Sequence, residues 1–152
     1  MKKITAIGVP MWLGQSEYGT QFGPSAIRSA GLRESLQLLG NDVIDVGNLD
    51  FSSNPLHNCV QADKCNIKKL EAVREISEQI AVKVSEICWS RRFPLILGGD
   101  HSIAIGTIAG ISKHYKNLGV IWYDAHADSN TVRTFPSGNI QGMPLAASIV
   151  FF

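Results

Sequence analysis

An alternation constrains this chain more than any other feature: short apolar runs closed by turn residues, separated by stretches of helical periodicity. Residues 3–9 (KITAIGV), 42–47 (DVIDVG), 93–97 (FPLIL) and 119–123 (GVIWY) are too short for buried helices and rich in β-branched or apolar side chains, so each predicts a buried strand. Between them, Pro24 suits the first position of a helix, where its missing N–H costs nothing. From there Ile27, Ala30, Gly31, Leu36 and Leu39 recur at helical spacing up to Gly40. Leu70, Val73, Ile76, Ile80, Val84 and Ile87 form one face of a second helix between residues 68 and 89, and a third is expected over 102–115. Residues 48–64 form a long polar connection with little periodicity. Continuously apolar strands alternating with amphipathic helices specify a three-layer α/β/α arrangement around a parallel sheet, with ligands at the carboxyl ends of its strands.

Composition agrees and narrows the function classes. The 152 residues are 45% apolar and 18% charged with a net charge of +1, enough for one domain that buries roughly 70% of its unfolded surface. Lys and Arg form no block longer than the pairs at 2–3, 68–69 and 91–92, so no electrostatic footprint for nucleic acid or an anionic membrane exists. No apolar run approaches the ~20 residues needed to span a bilayer, and the first apolar stretch is cut by Gly8 and Pro10; a cytoplasmic protein is expected. Cys59, Cys65 and Cys88 contain no Cys-x-x-Cys pair, which suits a reducing compartment and speaks against a thiolate metal site. Two surface thiols and one packed thiol are expected.

Two polar clusters leave expected strand ends: Gly98-Gly99-Asp100-His101-Ser102 after FPLIL, and Asp124-Ala125-His126-Ala127-Asp128 after GVIWY. A chance Asp-x-His-x-Asp in a chain of this composition occurs on the order of once in a hundred. Carboxylates and imidazoles without thiolates suit Mn, Co, Fe or Zn. Fully extended, Asp124 and Asp128 would stand about 13 Å apart at ~3.3 Å per residue, too far to share ions ~4 Å apart. The backbone must therefore curl after Asp124, with His101 approaching from the neighbouring strand end. Taken alone, His101 would be an ordinary loop histidine and Asp100 an ordinary cap for the following helix. His57 and His114 lack such company and are assigned to the surface.

The blocks GVP, FGPSAIR (22–28), LILGGDHS (95–102), WYDAHAD (122–128), Asn130-Thr131 and SGNIQGMPLA (137–146) together closely resemble the arginase branch of the ureohydrolase family, over nearly the whole chain. The resemblance implies an α/β fold, a pair of manganese ions that activates water, and hydrolysis of a guanidinium group to an amine and urea, with L-arginine as the small-molecule substrate and a homo-oligomeric assembly. It implies that His101, Asp124, His126 and Asp128 are metal ligands, with Asp124 bridging both ions and Asp128 also at the reaction centre. Asn130, Ser137 and Asn139 match positions that recognise the substrate α-carboxylate, which favours arginine over agmatine.

Two departures from the family pattern stand out. Where S-G-N-[IL]-H-G carries a histidine assigned to proton shuttling or substrate positioning, this chain has Gln141, which hydrogen-bonds but does not titrate. Family members also continue well beyond this length, and their later half supplies an Asp-x-Asp metal motif, a glutamate and further strands. Residues 1–152 are therefore expected to be the N-terminal part of a single arginase-like domain, ending in SIVFF as a truncation. The alternatives are an inactive fragment that binds metal or another subunit, and a ureohydrolase for another guanidino compound such as agmatine.

Overall fold

The computed structural model describes residues 1–51 and 69–149. Within them, β1 (Lys3–Val9), β2 (Asp42–Asn48) and β3 (Phe93–Gly98) form a parallel sheet in the order β2-β1-β3. Chain order therefore steps from β1 to one neighbour and returns past it to the other. Such a reversal opens a crevice at the carboxyl ends of β1 and β3, where the loops leave in opposite directions.

β1 is the central strand and buries side chains of both pleat faces: Ile4 and Ala6 on one, Thr5 and Ile7 on the other. That is the burial expected of a layer covered on both sides, and it fulfils the α/β expectation. β2 is an edge strand and leaves Ile44 and Val46 partly exposed on one face. Arg92 clasps the opening of the sheet by donating to Thr5 Oγ1 (2.8 Å), Asp42 Oδ2 (2.7 Å) and the Ile4 carbonyl (2.7 Å). Arg28 forms a bidentate pair with Asp45 at 2.7 and 2.9 Å. This guanidinium, aided by the Gly47 N–H and opposed by partial burial, holds the Asp45 carboxyl below the ordinary range.

The single helix expected up to Gly40 is two helices, α1 (Gly23–Ser29) and α2 (Leu32–Leu38). The break falls at Gly31, whose φ of 84° is left-handed and ends the first helix. α3 (Leu70–Trp89) matches its sequence expectation closely, burying Val73, Ile76, Ile80, Val84 and Ile87. α4 (Ile103–Ser112) is shorter than the expected 102–115, and α5 (Pro144–Ile149) ends the described chain. α4 packs on α3 through Gly106 and Gly110: a Cβ at Gly106 would stand 2.8 Å from the Ile80 Cβ, and one at Gly110 would stand 2.8 Å from the Val84 Cβ.

The core joins α3 to the loop after β1. Met11 and Leu13 are sealed among Val73, Ile76, Ile80, Val84 and Ile140, and each such side chain contributes roughly 1.5–3 kcal/mol on burial. Anchoring Met11 and Leu13 fixes the backbone on one side of the crevice.

The strand expected over 119–123 is absent. Ile121 and Tyr123 are 97% and 100% exposed, and the segment pairs with no strand among the described residues. An apolar run becomes a strand only where a neighbour offers a ladder of N–H and C=O groups, and here β3 pairs with β1 alone. No described helix is long and apolar enough to cross a membrane.

Candidate metal centre

The site lies where the β3 loop meets the loop that follows residues 119–123. After β3 the chain turns at Gly98-Gly99, and its backbone is laid against the β1 loop: the Gly99 N–H donates to the Val9 carbonyl (3.3 Å) and the Asp100 N–H to the Met11 carbonyl (2.9 Å). Asp100 is not the helix cap expected of it, since Ser102 is the N-cap of α4; its Oδ1 instead closes a turn ahead of the helix by accepting the Ser102 N–H (2.9 Å) and the Ser102 hydroxyl. This fixes the backbone on either side of His101.

The second loop curls as the spacing required. Asp128 takes a left-handed φ of 46°, an uncommon conformation for a residue other than glycine. Its carbonyl accepts the Leu145 N–H (3.0 Å), so α5 holds the turn. Asp128 is buried. Asp124 Oδ1 accepts the His126 N–H (2.8 Å). That bond lowers the Asp124 carboxyl against the opposing effect of partial burial, with the nearby His101 ring adding to the shift.

The two loops meet at the His101 ring. Its Nδ1 stands 2.6 Å from Asp128 Oδ2 and 3.0 Å from Asp124 Oδ2. One ligand atom from each of His101, Asp124 and Asp128 lies within 4.8 Å of the others. A single proton on Nδ1 can point at only one of the two carboxylates, whereas a divalent cation would satisfy all three side chains at once. Nitrogen and oxygen donors without a thiolate fit the hard to borderline metals expected from the sequence.

His126 is not drawn into this trio. Its side chain is 81% exposed, with Nδ1 3.4 Å from Asp124 Oδ1. The candidate substrate residues make contacts of their own. Ser137 is exposed, with its Oγ accepting the Asn139 N–H (3.2 Å), and Asn139 Oδ1 accepts from Ser16 Oγ (3.0 Å). Asn130 contributes to the wall of an apolar cavity of about 770 Å³ shared with Val73, Ala81, Ile105 and Met143; none of His101, Asp124 or Asp128 lines that cavity. The Gln141 N–H donates to the Gly14 carbonyl (2.9 Å).

Trp122 was not singled out by the sequence, yet its ring stacks on that of His101 at 4.7 Å and 24°. Its position directly before Tyr123-Asp124 was the available signal. Ser16 and Gly14 carried none. His114, expected at the surface, is half-buried and bonded through Nε2 to Ser85 Oγ at 2.8 Å. Cys88 is the packed thiol, whereas His57, Cys59 and Cys65 lie outside the described residues.

Comparison with known proteins bears on this geometry. The profile of the Arginase family matches residues 2–150. The chain is 54% identical to the arginase of Bacillus caldovelox over 99% of its own length and 50% of that protein's. With the arginase of Bacillus subtilis strain 168 it shares 51% identity, over 97% of this chain and 48% of the relative. Superposed on the native structure of Bacillus caldovelox arginase at pH 5.6, it gives a TM-score of 0.87 at 51% identity, covering 96% of this chain and 48% of that one. Entamoeba histolytica arginase in complex with L-ornithine gives a TM-score of 0.80 at 33% identity, covering 96% of this chain and 50% of that one. The chain thus spans about half the length of the curated relatives it matches. From the family profile, the identities and the shared fold, this chain belongs to the arginase family.

Proposed function

We propose that this chain is the first part of a manganese-dependent ureohydrolase that hydrolyses the guanidinium group of L-arginine to L-ornithine and urea. The observation that carries the reading is the meeting of His101, Asp124 and Asp128 at one point between two loops, in a chain about half identical to two Bacillus arginases. His126, beside Asp124, is the fourth ligand in this reading. Asn130, Ser137 and Asn139 take the substrate α-carboxylate; the Ser137 and Asn139 loop lies beside the β1 loop that flanks the metal residues.

A guanidinium remains protonated at any workable pH and is resonance-stabilised, so neutral water attacks it too slowly. Manganese, when bound, supplies activation of water at neutral pH. The residues of this chain do the remainder. Asp124 and Asp128 orient the donor set and balance its charge, and the buried position of Asp128 keeps bulk water from competing for its carboxylate. Gln141 orients through hydrogen bonds and carries no titratable proton.

The test is urea release from L-arginine in the presence of Mn²⁺, by this chain and by a version extended with the later half of Bacillus caldovelox arginase. The extended version is expected to release urea and to lose that activity in Asp128→Asn. Release from agmatine alone would move the substrate assignment to a decarboxylated guanidino compound. Gln141 and the half-length match favour a second reading, in which the 152-residue chain binds Mn²⁺ without turnover; urea production by the chain alone would defeat it. In the extended version Gln141→His is expected to raise turnover, and an unchanged rate would show that no proton passes through position 141.

A further inference from the structure

We infer that Asp100 is a positioning residue: through Gly14 it couples the His101 loop to the 137–142 loop, so that the metal and substrate parts of the site move as one. The metal arm of this inference rests on the function proposed above.

Asp100 is only 3% exposed, and its carboxylate contacts no cationic side chain among the described residues. Burying a carboxylate is costly unless donors surround it, and here they do. Oδ1 takes the Ser102 N–H and hydroxyl, as a local Asx turn would. Oδ2 reaches 86 residues back along the sequence to accept the Gly14 N–H at 2.8 Å. A local turn needs only the first of these.

Gly14 passes the connection on. While its N–H points to Asp100, its carbonyl accepts the Gln141 N–H at 2.9 Å. No side chain fits between: a Cβ at Gly14 would stand 2.5 Å from Asp100 Oδ1 and 2.8 Å from the Ser102 Cβ. From Gln141 the path continues through backbone. The Gly142 carbonyl accepts the Asn130 N–H (3.2 Å), and the Asp128 carbonyl accepts the Leu145 N–H (3.0 Å). Asp128 then closes the circuit on His101 Nδ1 at 2.6 Å. The Gly14 loop, the His101 loop and the stretch from Asp128 to Leu145 are thereby joined in one ring, and Ser16 to Asn139 (3.0 Å) adds a parallel tie.

In this ring the Asp100 carboxylate bonds Gly14 and Ser102 and no ligand side chain; it sets where His101 sits relative to the loop that carries Ser137, Asn139 and Gln141. Mutation of groups that orient metal ligands typically lowers metal affinity 10–100-fold. The experiment compares the parent 152-residue chain with Asp100→Ala and Asp100→Asn. It reads Mn²⁺ affinity by electron paramagnetic resonance and amide hydrogen exchange by mass spectrometry over 139–143, with α3 as the control for folding.

In the parent, Mn²⁺ is expected to slow exchange over 139–143. In Asp100→Ala that protection disappears, basal exchange there rises about tenfold, and Mn²⁺ affinity falls about tenfold. Asp100→Asn keeps one acceptor for the Gly14 N–H and recovers part of both. Metal-linked protection of a loop that holds none of the three clustered donors is the signal that mere stabilisation by Asp100 would not alter. Full protection in Asp100→Ala, or parent-like basal exchange over 139–143, overturns the inference. Should Asp100→Ala also lose protection across α3, Asp100→Asn decides: intermediate exchange over 139–143 beside parent-like α3 supports the inference, and equal loss in the two segments overturns it. A parent chain that binds no Mn²⁺ contradicts the metal reading alone, and metal-free exchange over 139–143 in Asp100→Asn then decides the coupling.

Discussion

The two loops that bring donors to the centre are held in different ways. The loop after β3 is built into the body of the molecule: Asp100 and Ser102 are almost fully buried, and backbone bonds to Val9 and Met11 fix it from below. The stretch leading to Asp124 is the opposite. Ile121 and Tyr123 face solvent and no ladder supports them, yet Asp128, a few residues on, is buried and anchored by the Leu145 N–H. A donor's position is thus set by what its own backbone bonds to. The apolar run before it supplies strand propensity, which does not suffice without a neighbouring strand.

The largest effect that sharpens this contrast is expected at Ile76, wholly buried in the α3 face beneath the β1 loop. Ile76→Ala is expected to cost about 2–5 kcal/mol in urea unfolding, through lost burial and the cavity left behind. An intermediate effect is expected at the Arg28–Asp45 pair, whose side chains are 25% and 19% exposed. Because the folded Asp45 carboxyl is depressed, its contribution is present at neutral pH, above the unfolded value, and is lost as pH falls through the folded value. Asp45→Asn should therefore lower Tm at pH 7, with the deficit against the parent shrinking at acid pH; a deficit that grows on acidification would contradict the assignment. At the other extreme, Ile121→Ser should change stability by no more than about 0.5 kcal/mol, as a surface substitution does. If Ile121→Ser and Ile76→Ala cost the same, the contrast between the two regions is wrong.

Much of this was legible in the sequence for identifiable reasons. The α3 periodicity placed Val73, Ile76, Ile80 and Val84 in the core because one helical face met one packing surface. The Asp124 to Asp128 spacing forced a curl, and Asp128 supplies it at a φ of 46°. The approach of His101 followed from two strand ends expected side by side, and it is realised although one of those strands does not form. What the sequence could not disclose depended on partners distant along the chain. The strand at 119–123 needed a pairing edge that no local pattern encodes. The α1/α2 break lay hidden because Gly31 fits helical spacing as well as a left-handed cap. Gly14, Ser16 and Trp122 matter through contacts with Asp100, Asn139 and His101, and none belongs to a periodic pattern.

The account turns on His101, Asp124 and Asp128 serving together as cation ligands. The direct measurement is a Mn²⁺ titration of the 152-residue chain and of Asp128→Asn, followed by electron paramagnetic resonance, with α3 amide protection confirming that both are folded. Saturable binding that weakens at least about tenfold in Asp128→Asn is the predicted result. Absence of saturable binding, or equal affinity in the two folded chains, would contradict it.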